Sequence, residues 1–322
     1  MSDKVRVGVV GTGYLGRFHA LIYSRMPEVE LVGLVDANPD TARQVAAECG
    51  CAVFDGHEAL LDHVDAVSIV VPTSLHLTVA RPFLERGIAT LLEKPIAASL
   101  VEAEDIVQLA QKHGTLLQIG HLERYNAGVM ALSKRIQNPR FIEAHRMGAF
   151  VARATDVDVV SDLMIHDIDI ILALVQSEIT QVLASGTPVL TEQIDIANAR
   201  LEFANGCVAN VIASRVSEKK SRRIRVFGPR HYHSLDFIEQ RIELAYPVPR
   251  PGQEWPEIHQ EGIEIEPVKP LDAELEDFIR AFREQRKPLV DGATGLAALK
   301  VAMRVKDTIL HNQLLYTQES QP

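Results

Sequence analysis

Val5-Arg6-Val7-Gly8-Val9-Val10-Gly11-Thr12-Gly13-Tyr14-Leu15-Gly16 is an apolar run that breaks into G-x-G-x-x-G. Val5–Val10 reads as a buried strand, and residues 13 to about 26 as the helix it feeds. In that setting the glycines let the backbone approach a pyrophosphate, which then sits against the positive end of the helix. A second strand, 31–35, ends in Asp36, twenty residues past Gly16. A carboxylate there can bind the adenosine ribose hydroxyls and repels a 2′-phosphate. No Lys or Arg follows until Arg43. The pattern therefore predicts NAD rather than NADP, with Gly11, Thr12, Gly13, Tyr14, Leu15, Gly16 and Asp36 as its contacts.

Outward from that unit the rhythm repeats. Helical patterns at 41–49, 75–86 and 100–113 alternate with short apolar strands at 66–71, 89–92 and 116–119. Repeated β-α units of this length imply a doubly wound parallel sheet with right-handed crossovers. From about residue 140 the strands follow one another directly, at 141–151, 179–187, 194–203, 207–214 and 222–228, which implies antiparallel pairing. A helix at 161–175 interrupts this half, and helices at 273–284 and 295–312 close it. The stretch 247–270 is rich in proline and polar residues and reads as a long surface connection. The fold class is thus α/β: a Rossmann domain over 1–120 and a second α/β domain over 121–322.

Composition excludes several functions. The 322 residues are 47% hydrophobic and 24% charged, with a formal net charge of −10, which argues against nucleic acid or an anionic membrane as the main partner. No apolar run approaches the ~20 residues of a membrane span, and no signal peptide is evident, so a cytoplasmic protein is expected. Cys49, Cys51 and Cys207 make no disulfide framework and read as inert thiols. His231-Tyr232-His233 lacks a third ligand, so no metal is expected, and alternate exposed strand positions explain it. Lys219-Lys220-Ser221-Arg222-Arg223 reads as a solvated hairpin turn.

Two further stretches carry chemistry. The strand at 66–71 continues as Pro72-Thr73-Ser74-Leu75-His76, and the next ends in Glu93-Lys94-Pro95. Ligands of open α/β sheets bind at the carboxyl ends of strands, so Pro72, Thr73, His76, Glu93 and Lys94 are expected at the cofactor crevice. Later, Asp162, His166 and Asp169 recur at i, i+4 and i+7 on an otherwise apolar helix, and so share one face. A carboxylate one turn before an imidazole can orient it and raise its basicity, which suits a general base. A structural Asp-His pair would satisfy the same pattern.

The glycine fingerprint at 11–16, Glu93-Lys94-Pro95, Asp162-x-x-x-His166-x-x-Asp169 and the closing Pro270-Leu271-x-x-Glu274-Leu275-x-x-Phe278 occur in that order. Together they resemble the Gfo/Idh/MocA family of NAD(P)-dependent sugar and cyclitol dehydrogenases. The resemblance implies a Rossmann domain followed by a domain with an open, predominantly antiparallel sheet, which packs against its twin in a homodimer or homotetramer. It also implies Lys94, Asp162 and His166 as the catalytic set, with a cis Lys94-Pro95 bond. Gly120-His121-Leu122-Glu123-Arg124-Tyr125-Asn126 resembles the segment of family members that act on nucleotide sugars, although those usually continue with proline where Ala127 stands. Substrate contacts are then expected from Lys94, Arg124, Tyr125, Asn126, Arg153, Asp162 and His166. UDP-N-acetylglucosamine, oxidised at its 3-hydroxyl, is the expected substrate. A free-sugar or inositol dehydrogenase and a non-catalytic NAD-binding sensor are the alternatives.

Overall fold

The structure is a computed structural model that describes residues 4–151, 157–266 and 268–319. It divides into two compact units. The first holds the described residues up to Tyr125 together with Lys269–Leu299, and the second holds Asn126–Val268 with those from Lys300 onward.

In the first unit, six parallel strands lie in the order β3-β2-β1-β4-β5-β6. They are β1 (Val5–Val10), β2 (Val29–Val35), β3 (Ala52–Val53), β4 (Ala66–Ile69), β5 (Ala89–Glu93) and β6 (Leu117–Gly120). The crossovers are carried by helices α1 (Tyr14–Tyr23), α2 (Pro39–Cys49), α3 (His76–Glu85) and α4 (Leu100–His113). Local chemistry sets their ends. Asn38 caps α2 by accepting from the backbone of Asp40 and Thr41, and Ser99 caps α4 by accepting from Glu102. Because β1 has β2 on one side and β4 on the other, the chain reverses direction there and opens a crevice at the strand carboxyl ends.

The first unit runs to Tyr125 rather than residue 120 and also takes Lys269–Leu299. Helix α7 (Pro270–Glu284) belongs to the first unit. Its Leu275, Phe278 and Ile279 are fully buried in one cluster with Val5, Val7, Val9, Tyr23 and Leu34. An apolar stripe announces an amphipathic helix but not which sheet it covers. Truncating Phe278 to alanine would cost about 3–5 kcal/mol.

The second unit is built on an eight-stranded sheet ordered β14-β13-β12-β11-β7-β10-β9-β8. Its strands are β7 (Phe141–Met147), β8 (Ile179–Thr187), β9 (Ile196–Phe203), β10 (Val208–Ser214), β11 (Ser221–Gly228), β12 (His231–Asp236), β13 (Arg241–Val248) and β14 (Glu257–Glu264). Only the central β7–β10 pair is parallel. Helices α5 (Ala127–Ser133), α6 (Ile165–Val175) and, from Lys300 onward, α8 (Gly292–Glu319) complete it.

Three sequence expectations fail here. The stretch 247–270 contains β14, an exposed strand paired with β13, rather than only a connection. Its residues are polar on both faces, so it lacks the alternation that marks a half-buried strand. The 219–223 stretch is no hairpin turn: β10 and β11 lie on opposite sides of β7, and Ser221, Arg222 and Arg223 belong to β11. His233 is buried, and that burial pushes its pKa down to about 4, so the two histidines are not both exposed. The cysteines are free thiols, and burial pushes Cys51 and Cys207 up to about 11.

Candidate active site

Each glycine of the fingerprint has a distinct reason to be glycine. Gly11 adopts φ +91°, and a Cβ on it would stand 2.2 Å from the carbonyl oxygen of Val70. A Cβ on Gly16 would meet the carbonyl of Gly11 at 1.9 Å, so strand and helix can approach only without it. Gly13 faces open space, with nothing within 4 Å of where a Cβ would be. That opening at the first turn of α1 fits a pyrophosphate, which a helix N-terminus favours. Tyr14 beside it is largely exposed, and Thr12 is buried.

Asp36 does more than wait for a ribose. Its Oδ2 accepts from the backbone N–H and hydroxyl of Thr12 at 2.6 and 2.9 Å, and its Oδ1 accepts from Asn38 N–H at 2.8 Å. Partial burial pushes its pKa up, but those hydrogen bonds outweigh it and hold the carboxyl below its ordinary value. Arg43, the first cation after it, is engaged by Asp40 at 2.6 Å. A carboxylate kept charged in this way fits a ribose diol and opposes a 2′-phosphate.

At the neighbouring strand ends the expected contacts separate. Pro72 is exposed and Thr73 half-buried. His76 is buried instead: its Nδ1 lies 3.2 Å from the carbonyl oxygen of Ile96 and its Nε2 3.0 Å from that of Val71. Burial lowers its pKa against those two contacts. The ring thus ties the end of β4 to the turn after Lys94. Glu93 also turns inward, with Oε1 3.3 Å from His19 Nε2 and Oε2 accepting from Lys94 N–H at 3.2 Å. Lys94 is half-buried, and its bond to Pro95 is cis, as expected. A cavity of about 800 Å³ in this unit opens among Ala89, Leu117, Phe282 and Gly292. It lies at the amino ends of β5 and β6, away from the edge where such sheets bind ligands.

Of the 120–126 segment, two expected substrate contacts are otherwise engaged. Tyr125 is buried and donates to Asp277 Oδ2 at 2.9 Å, and Asn126 caps α5 by accepting from Gly128 N–H at 2.9 Å. Their polarity serves the fold. Arg124 remains half-buried at the end of a 3₁₀ turn, Leu122–Tyr125. Arg153 lies outside the described residues.

In the second unit, Asp162 lies in a π-helical turn, Val160–Met164, that runs into α6. This turn is wider than the continuous α-helix that the sequence spacing assumes. Asp169 is buried, and His166 is half-buried in the first turn of α6. The turn is anchored twice. Asp158 accepts from Ser161 N–H at 2.9 Å and from Lys306 Nζ at 2.8 Å, and Arg215 Nη1 donates to the carbonyl of Val157 at 2.7 Å. Asp162 lines a cavity of about 350 Å³ together with Arg146, Arg215, Glu218, Lys220 and Arg222. Two of those arginines are bound to buried carboxylates, Arg146 to Asp167 and Arg215 to Asp195. The sequence expectation set Lys220 and Arg222 in a solvated hairpin turn rather than at this cavity. The signal was the register, which sets Arg222 directly across from Arg146.

Comparison with known proteins adds to this geometry. Residues 5–121 match a model described as an oxidoreductase family with an NAD-binding Rossmann fold, and 130–231 match the GFO/IDH/MocA C-terminal domain. Over 303 residues the chain is 38% identical to UDP-N-acetylglucosamine 3-dehydrogenase of Acidithiobacillus ferrooxidans, covering 94% of this chain and 96% of that protein. A solved structure of that enzyme superposes with a TM-score of 0.89 at 37% identity, over 95% of this chain and 98% of the other. Inositol 2-dehydrogenase of Rhizobium meliloti is 29% identical over 320 residues, covering 92% of this chain and 94% of that protein.

Proposed function

The chain belongs to the Gfo/Idh/MocA family of oxidoreductases, and we propose that it is an NAD-dependent dehydrogenase that oxidises UDP-N-acetylglucosamine at its 3-hydroxyl. The observation that carries this reading is the 38% identity to a UDP-N-acetylglucosamine 3-dehydrogenase along nearly the whole of both chains. Preference for NAD over NADP is supported by the charged Asp36 and by the engagement of Arg43.

The chemistry required matches the side chains. Oxidising a secondary alcohol needs a base for the hydroxyl proton and a cation near the oxygen as it becomes alkoxide-like. In this reading His166 takes the proton, Asp162 supports it, and the ammonium of Lys94 faces the developing charge. Gly11–Gly16 and Asp36 would hold NAD, which when bound supplies the hydride acceptor. Arg124 is the candidate for the diphosphate, through charge-assisted hydrogen bonds. The family pattern supports a homodimer or homotetramer formed through the second unit's sheet.

A free-sugar or inositol dehydrogenase is the second reading, favoured by the similarity to inositol 2-dehydrogenase. Thermal melts with NAD plus UDP-N-acetylglucosamine, UDP, free N-acetylglucosamine or myo-inositol separate the two, since a ligand that binds only the native state raises the Tm. Stabilisation by UDP-N-acetylglucosamine and UDP is expected. Stabilisation by myo-inositol or the free sugar alone would favour the second reading.

A further inference from the structure

Behind the strand end that carries Lys94 lies a group of polar side chains that the reaction above does not use. His19 and Tyr23 on α1, Ser68 on β4, Glu93 on β5, Gln118 on β6 and Glu274 on α7 are all buried in the first unit. Tyr23 Oη lies 2.9 Å from Ser68 Oγ, and Gln118 Nε2 donates to the backbone carbonyl of Glu274 at 3.1 Å. Glu274 is fully shielded from solvent, and among the described residues neither of its carboxyl oxygens meets a hydrogen-bond partner. Nor does Gln118 Oε1. Among the described residues, the charges acting on Glu274 are those of Glu93 and Asp277, both acidic. The tyrosines that feel it, Tyr23 and Tyr125, are neutral donors.

An ionised carboxylate buried without a compensating cation costs several kcal/mol, and protonation removes that cost. Burial first, and then the charges of Glu93 and Asp277, hold the Glu274 carboxyl well above the usual range. We propose that Glu274 is kept as a neutral carboxylic acid and is a positioning residue for Lys94, acting through Glu93. The inference rests on the role given to Lys94 above. Glu93, whose charge acts on Glu274, accepts from the backbone N–H of Lys94 at 3.2 Å. The Glu93 carboxyl packs against Gly120, where a Cβ would stand 2.8–2.9 Å from it. A neutral carboxylic acid keeps one O–H donor and remaining acceptor capacity, so it loses less by burial than a carboxylate would.

Infrared difference spectroscopy of the full-length protein, wild type minus Glu274→Gln at neutral pH, tests the protonation. A protonated-carboxyl C=O band in the wild type, lost in the variant, is expected, and its absence overturns the proposal. Kinetics test the positioning. Glu274→Gln is expected to retain kcat, because an amide is also neutral and hydrogen-bonds. Glu274→Leu is expected to lower kcat about ten- to a hundred-fold, as a misplaced reacting group does, with the Kd for NAD unchanged. Full activity in Glu274→Leu, or equal impairment of both variants, overturns it. If Glu274→Leu does not fold, the infrared band and the Gln variant still decide. Failure of the wild type to oxidise any sugar would defeat the sugar-dehydrogenase reading, while the infrared result would stand apart from it.

Discussion

The carboxylate of Asp36 accepts from both the backbone N–H and the hydroxyl of Thr12, at 2.6 and 2.9 Å, so the residue aimed at the ribose also fastens the glycine loop to β2. Asp36→Ala therefore removes two functions at once. Titration calorimetry should show weaker NAD binding and a narrower preference over NADP. The apo protein should also lose about 1 kcal/mol of stability as the Thr12 donors lose their partner. Unchanged NAD affinity would mean that other groups hold the ribose.

Lys94→Ala and His166→Ala should each lower kcat by ~10²–10⁴ while NAD still binds, because the main proposed dinucleotide contacts are Gly11–Gly16 and Asp36. Stopped-flow turnover alongside NAD fluorescence titration separates the two effects. Near-normal turnover in His166→Ala would move the base role to another group.

Tyr125→Phe distinguishes a structural tyrosine from a substrate-stacking one. The ring remains but the hydrogen bond to Asp277 is lost, which should cost about 2 kcal/mol in thermal or denaturant unfolding. KM for the sugar substrate should not change. A large rise in KM with unaltered stability would return Tyr125 to the substrate site.

Acid should loosen the anchor of the Asp162 turn. Burial raises the Asp158 pKa, but Lys306 and the hydrogen bonds from Ser161 outweigh it, so the folded-state value lies below the unfolded one. A depressed carboxyl contributes stability that is present above its unfolded pKa, ~3.9, and is lost as pH falls through the folded value. Melting temperatures measured from about pH 6 down to about pH 3 should fall less steeply in Asp158→Asn than in the wild type. Parallel curves would show that Asp158 does not contribute to the acid limb.

The parallel sheet was legible because Val5–Val10 and the strands ending near Asp36 and Lys94 are continuous apolar runs with helices between them. The glycine fingerprint was legible for the same reason: a strand precedes it and a helix follows. What local pattern does not carry is the choice of partner. His76, Tyr125 and Asn126 are polar residues in stretches that carry ligand-like motifs, yet each spends its hydrogen bonds inside its own unit. The stripe on α7 does not say that it covers the Rossmann sheet. The π turn at Val160–Met164 inserts a wider step that a period of 3.6 residues cannot foresee. The strand Glu257–Glu264 is exposed on both faces, so no alternation marks it.

The most direct test of the central claim is NADH formation by the purified full-length protein with UDP-N-acetylglucosamine, compared with free N-acetylglucosamine and myo-inositol at equal concentration. The account predicts NADH with the nucleotide sugar, with the 3-keto sugar as its product, and little with the other two. Turnover of only the free sugar or only the inositol would contradict it.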